Sequence, residues 1–334
     1  MNYHQKLNFQ PVFLVGFPRS GTTLLDTILS SHSDIITLEE KPMVAMVKMH
    51  LNKIAKIENL LNLSEREVIK LRDVYHQELI KHTNIRKIKN KILIDKLPLS
   101  IIDIGLILRL FPNAKFILSL RHPLDCILSC FMQTFNLNNA MANFLDLKTT
   151  AQLYSNSMKL FDIYCKVFKI KYHIVKYEDL IHSLKSEAIS LLKFLDLSWQ
   201  DNMAKYRELA LNKKINTPSY NQVTEKIYTR ASGRWKNYEK ELEFIFPEIK
   251  LATELEKNIL ISELIKSGNF YSSRQLLQKL SKFESFSTEQ ANQYVSASLN
   301  NSQILWISED EDINEYLHEF VEKNKDKINA ELLN

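Results

Sequence analysis

The sequence predicts an α/β protein of the P-loop-like, three-layer kind: a central parallel sheet flanked by helices, then a C-terminal all-helical extension. Three observations carry this expectation. The apolar, β-branched run at residues 11–15 stops at Gly16, turns tightly, and passes into an apolar-periodic segment reaching about residue 31. Such a run reads as a buried strand, a loop and a helix N-terminus. Further short apolar runs that end in charge then alternate with helical periods up to about residue 180, as βα units do. From about residue 251 strands cease, which divides the chain into an α/β body at 1–250 and a helical extension at 251–334.

The first loop is Phe17-Pro18-Arg19-Ser20-Gly21-Thr22-Thr23. Glycine is scarce, five in 334 residues, yet two of the five, Gly16 and Gly21, bracket this turn. Glycine tolerates positive φ and close approach of the backbone to a ligand. The unpaired N–H groups of the following helical turn and the positive end of its dipole make an anion site. The Gly16-x4-Gly21 spacing fits a phosphate loop, but Thr22 stands where a nucleotide triphosphatase carries lysine, and the cation is Arg19 instead. A loop without that lysine is poorly equipped for a β/γ-phosphate pair with Mg²⁺, and suits a nucleotide with a shorter 5′ anion.

Residues 35–38 form a short extended stretch that delivers the adjacent carboxylates Glu39 and Glu40. If the strand continued through both, alternation would turn only one toward the loop. His32 is read as a cap or core residue. Residues 43–90 are lysine-rich and helical in period, with a capping box at Ser64–Glu67. A second buried strand at 91–95 ends in Lys96, and ligands in parallel sheets sit at the carboxyl ends of strands. A helix at 100–111 leads to a third strand at 115–120, which runs into Arg121. Pro123 favours the first turn of the next helix, which contains Ser129. Arg121 and Ser129 on one strand–helix corner can surround one anion, the guanidinium in bidentate fashion. A long helix at 143–168 precedes a strand at 171–180 that carries Tyr177. The stretch at 217–238, with Gly233 beside Arg234 and Trp235, reads as a lid over the ligand. Beyond 251, residues 255–280 form a helical hairpin around Ser267-Gly268-Asn269, and an acidic helix or tail follows at 309–333.

These motifs together resemble the sulfotransferases that use 3′-phosphoadenosine 5′-phosphosulfate. Within that superfamily the chain is most similar to tyrosylprotein sulfotransferases and to bacterial sulfotransferases linked to tetratricopeptide helices. The resemblance covers about residues 10–245. It implies that Arg19, Ser20, Gly21, Thr22 and Thr23 hold the donor's 5′ end, and that Arg121, Ser129 and Arg234 hold its 3′-phosphate. It further implies that Tyr177 meets the adenosine, Ser219 lies near the bridging oxygen, Lys96 stabilises the transferring group, and Glu40 is the base. A further arginine of that family falls on Gln133 here. The donor leaves as adenosine 3′,5′-bisphosphate and no metal is expected. The acceptor is a hydroxyl on a peptide, a sugar or a small molecule. A P-loop small-molecule kinase and a non-catalytic nucleotide-binding scaffold are the alternative readings.

Composition bounds the rest. At 45% hydrophobic the chain can bury one large core. No apolar run reaches the ~20 residues of a membrane span, and residues 1–8 carry no signal pattern, so no membrane association is expected. Cys126, Cys130 and Cys165 lack disulfide or metal spacing, and buried free thiols in the cytoplasm are expected. Residues 301–334 hold three Lys/Arg against nine Asp/Glu, net −6, leaving net +11 on the other 300. A basic body suits a polyanionic nucleotide or an acidic acceptor. The scattered positives give no nucleic-acid motif. The helical extension leaves a homodimer open.

Overall fold

The computed structural model describes residues 10–55, 57–212, 231–250, 252–253 and 255–256, all within one compact unit, Met1–Leu260. Its centre is a five-stranded parallel sheet of order β2-β3-β1-β4-β5, with β1 at Val12–Gly16, β2 at Ile35–Glu39, β3 at Ile92–Lys96, β4 at Lys115–Leu120 and β5 at Lys171–Lys176. Every residue of β1 is buried. Helices cover both faces, so the strand is apolar throughout instead of alternating. Phe13 and Val15 point into one core, with Tyr75, Ile104, Phe116 and Met158. Val12 and Leu14 point into the other, with Leu25, Ile28, Ile117, Val175 and Leu191. The three-layer α/β expectation is therefore met.

Up to residue 212 the helices are α1 at Thr22–Leu29, α2 at Met43–Ile54, α3 at Glu65–His82, the single turn α4 at Ile85–Ile88, α5 at Ile104–Leu110, α6 at Pro123–Phe131, α7 at Leu147–Phe168, α8 at Tyr177–His182, α9 at Leu184–Phe194 and α10 at Tyr206–Asn212, and a further single turn spans Glu239–Leu242. The expected capping box starts α3: Ser64 Oγ accepts the amide of Glu67, and the Glu67 carboxylate accepts the amide of Ser64 at 2.8 Å.

Several boundaries differ from the sequence reading, each for a local reason. The short stretch at 35–38 is a full edge strand through Glu39, paired with β3 along its length. The helix expected at 100–111 begins as a 3₁₀ segment, Pro98–Asp103, before α5. The helix expected from residue 143 starts at Leu147, because Asp146 accepts the amide of Thr149 at 3.0 Å and caps it. The strand expected to reach residue 180 stops at Lys176, and Tyr177 opens α8. The helical extension from 251 lies outside the described residues except at 252, 253, 255 and 256, of which Ala252, Leu255 and Glu256 are buried in the body. Among the described residues no helix is long and apolar enough to cross a membrane.

Candidate active site

All five strands deliver a candidate residue at their carboxyl ends: Glu39 ending β2 with Glu40 just after it, Lys96 on β3, the glycine loop after β1, Arg121 after β4 and Tyr177 after β5. The register explains the convergence. Glu39 pairs with Lys96 across β2 and β3, Leu14 with Lys96 across β3 and β1, and Gly16 with Ser119 across β1 and β4.

The loop is set by the protein's own contacts. Gly16 has φ 156°, and a Cβ there would sit 2.5 Å from the Ser119 carbonyl oxygen. Gly21 has φ 98°, and a Cβ there would sit 2.7 Å from the Tyr177 ring. So both glycines are demanded by neighbouring elements. Arg19 also adopts a left-handed backbone, φ 71°, which costs a non-glycine residue ~1–2 kcal/mol. Cross-links from β4 and α6 offset that strain. Arg19 Nε donates to Ser129 Oγ at 3.0 Å, Arg121 Nη1 donates to the Arg19 carbonyl at 3.0 Å, and Ser119 Oγ donates to the Ser20 carbonyl at 2.9 Å. The two arginines thus serve one loop, and Ser129, eight residues beyond Arg121 on α6, joins Arg19.

Arg121 is the hub. Its guanidinium lies over the Tyr177 ring at 5.0 Å, donates to the Ala231 carbonyl, and lies 4.0 Å from Asp125. Asp125 in turn accepts the amides of Gly233 at 2.7 Å and Trp235 at 3.0 Å. Trp235 stacks on His122, with centroids 4.9 Å apart. These contacts bring the turn that carries Arg234 to the Arg121 corner, while the Arg234 side chain is exposed. Ser20 Oγ and Arg121 Nε are buried and have no hydrogen-bond partner among the described residues. Surplus donors beside a helix N-terminus fit the anionic ends of a nucleotide.

At the other edge, Lys96 Nζ reaches Glu39 Oε1 at 3.2 Å and Glu40 Oε1 at 3.0 Å. Both carboxylates therefore face one ammonium, where unbroken strand alternation would turn only one toward the loop. The reason is backbone: Glu40 has φ 50°, so strand alternation ends at Glu39, and the Glu40 amide donates to the Lys96 carbonyl at 2.7 Å. Exposure separates the three. The Lys96 side chain is 0% exposed, Glu39 11% and Glu40 40%. Glu40 is the carboxylate that a solvent-borne molecule can meet. Asp95, beside Lys96 on β3, accepts from the buried Tyr75 hydroxyl at 2.9 Å, and burial pushes its carboxyl up to about 7.

Most residues expected at the site are brought to it, namely Arg19, Ser20, Gly21, Thr22, Thr23, Glu40, Lys96, Arg121, Ser129 and Tyr177. Ser219 lies outside the described residues. Tyr177 acts on the protein side, wedged between Gly21 and Arg121. His32 is buried and structural, its ring bonded to the Ser198 carbonyl at 2.9 Å and the Asp34 amide at 3.1 Å. Cys126 and Cys130 are buried free thiols, pushed up by burial. Cys130 Sγ donates to the Pro18 carbonyl at 3.3 Å, which ties α6 to the loop. Sequence reasoning passed over Asp125. Its signal was a lone aspartate just after Pro123 on an otherwise apolar helix.

A sequence profile described as the sulfotransferase family matches residues 11–201. An uncharacterized protein of Aquifex aeolicus is 28% identical over 267 residues, 77% of this chain and 34% of that protein. A protein-tyrosine sulfotransferase of Drosophila melanogaster is 24% identical over 244 residues, 67% of this chain and 46% of that protein. The chain thus spans less than half the length of these two relatives. Among solved structures, the sulfotransferase domain of the Synechococcus PCC 7002 olefin synthase is similar at TM-score 0.46 and 20% identity, over 70% of this chain and 90% of that domain. The chain belongs to the sulfotransferase family.

Proposed function

We propose, on the premise of that membership, that the protein transfers a sulfuryl group from 3′-phosphoadenosine 5′-phosphosulfate to an acceptor hydroxyl, with Glu40 as the base. The observation that carries this reading is the buried Lys96 ammonium, shared by Glu39 and the more exposed Glu40, one strand away from the Arg19 loop. The family's donor supplies an activated sulfuryl group and departs as adenosine 3′,5′-bisphosphate. Arg19, Ser20, Gly21, Thr22 and Thr23 hold its 5′ end, through the side chains and the first N–H groups of α1. Arg121, Ser129 and Arg234 hold the 3′-phosphate. Glu40 Oε1 takes the hydroxyl proton, and Lys96 steadies the negative charge that builds on the transferring group. Ser219 is the expected further donor to the bridging oxygen.

A peptide tyrosine is one acceptor, supported by the name of the Drosophila relative. Sugars and small phenols are the others. Cytoplasmic residence is part of the reading and is supported by the free, buried Cys126 and Cys130. The test is transfer of labelled sulfate to an acceptor panel, with calorimetric titration of adenosine 3′,5′-bisphosphate and of Mg-ATP. Saturable binding of the bisphosphate alone is expected. Glu40→Ala should lower turnover about 10²–10⁴-fold with bisphosphate affinity retained. Preference for Mg-ATP, or full turnover without Glu40, would overturn the reading.

A further inference from the structure

Phe17, the first residue of the loop, is buried, and its carbonyl accepts the Ser20 amide at 3.2 Å. Its ring meets Tyr154 of α7 edge-on at 4.9 Å and Phe144 at 5.8 Å. Tyr154 is held in turn, because its hydroxyl donates to Glu256 Oε1, from a residue 102 positions later in the chain. Both members of this pair are buried. We propose that Tyr154 and Glu256 are positioning residues for nucleotide binding: their hydrogen bond fixes the tilt of the Tyr154 ring, and that ring fixes Phe17 and with it the start of the Arg19 loop. The proposal rests on the reading of this loop as the donor site.

Chemistry favours positioning over simple cohesion. An apolar pair of similar size would fill the same volume without burying polar groups. A phenylalanine ring can swing its axis within the slot, whereas a tyrosine tethered at its hydroxyl keeps that axis fixed. Arg19 follows two residues after Phe17 with a left-handed backbone, a conformation that persists only when its surroundings over-determine it. The groups facing the pair are Lys176 at the end of β5, Glu178 on α8 and, toward Tyr154, Cys126 on α6. Burial pushes Glu256 up to about 8 and Tyr154 well above its ordinary value. Near neutral pH the pair is therefore an uncharged acid and a phenol, and no buried negative charge opposes an anionic ligand.

The full-length chain and four variants are titrated calorimetrically with adenosine 3′,5′-bisphosphate. Tyr154→Phe and Glu256→Leu should each bind about five- to tenfold more weakly, the worth of one buried hydrogen bond. Glu256→Gln, whose amide oxygen still accepts from the tyrosine, should bind as the unmodified protein does at pH 7. Above pH 8 the unmodified protein should lose affinity while Glu256→Gln does not. Tyr164→Phe deletes another hydroxyl of α7, bonded to the Ile102 carbonyl at 3.0 Å, and should leave affinity unchanged. Unaltered binding in Glu256→Leu, or equal weakening in Tyr164→Phe, overturns the inference while the donor reading stands. If the unmodified protein itself fails to bind the bisphosphate, the donor reading falls and this inference with it. Should Tyr154→Phe fail to fold, the Glu256→Leu and Glu256→Gln pair decides.

Discussion

The two halves of the site are built by different means. On the β1–β4 side, the loop is locked mainly through its backbone: Arg121 and Ser119 hold its carbonyls, Tyr177 presses on Gly21, and Asp125 pins the Gly233 turn. On the β2–β3 side, three long charged side chains meet at their tips, graded from a sealed lysine to a half-exposed glutamate. Binding an anion needs fixed donors, because any freedom left in them is lost on association. Moving a proton needs a group that can reach both its partner and the incoming hydroxyl. On the proposed reading, the contrast places affinity in one half and turnover in the other.

The sharpest test of that division is Lys96→Met, which removes the ammonium and leaves two carboxylates facing each other. Turnover should fall about 10²–10³-fold, with bisphosphate affinity measured by calorimetry nearly intact. An equal loss of affinity would merge the two halves. Gly21→Ala attacks the opposite side, setting a Cβ against Tyr177 on a left-handed backbone. Bisphosphate affinity should drop roughly tenfold and stability by about 1–3 kcal/mol, while any residual turnover keeps the wild-type dependence on Glu40.

A third test concerns pH and the core beneath both halves. Burial raises Asp95 to about 7 and Glu256 to about 8. Each binds its proton more tightly when folded. Their contribution to stability is thus complete below the ordinary carboxylate range and is lost as pH rises through 7 and 8. Thermal melts should show a protein more stable at pH 5.5 than at pH 8.5, by at most about 5 kcal/mol, and Glu256→Gln should flatten part of that slope. A melt that improves with pH over this window would contradict both assignments. The smallest effect belongs to Ser64→Ala, which uncaps α3 at a cost of about 1 kcal/mol and should leave affinity and turnover alone.

Much of this was legible beforehand. Arg19, Lys96 and Arg121 each end an apolar strand, and strand ends in parallel sheets converge on one rim. The helical cap at Ser64 was an equally local matter. Glu40 resisted because its left-handed turn is imposed by the bond to the Lys96 carbonyl, 56 residues away. Tyr177 lies against Gly21 because the turn from β5 into α8 brings it there, a contact 156 positions apart in the chain. Asp125 and Glu256 draw their meaning from backbone amides and a phenol more than 100 positions distant. No local pattern encodes such partners.

That remoteness governs when the protein acquires its site during synthesis. Arg19 relies on Ser129, Arg121 on Ala231, and Tyr154 on Glu256. A chain emerging from the ribosome exposes its glycine loop before residues 231–235, and cannot close the anion corner until those residues are free to dock.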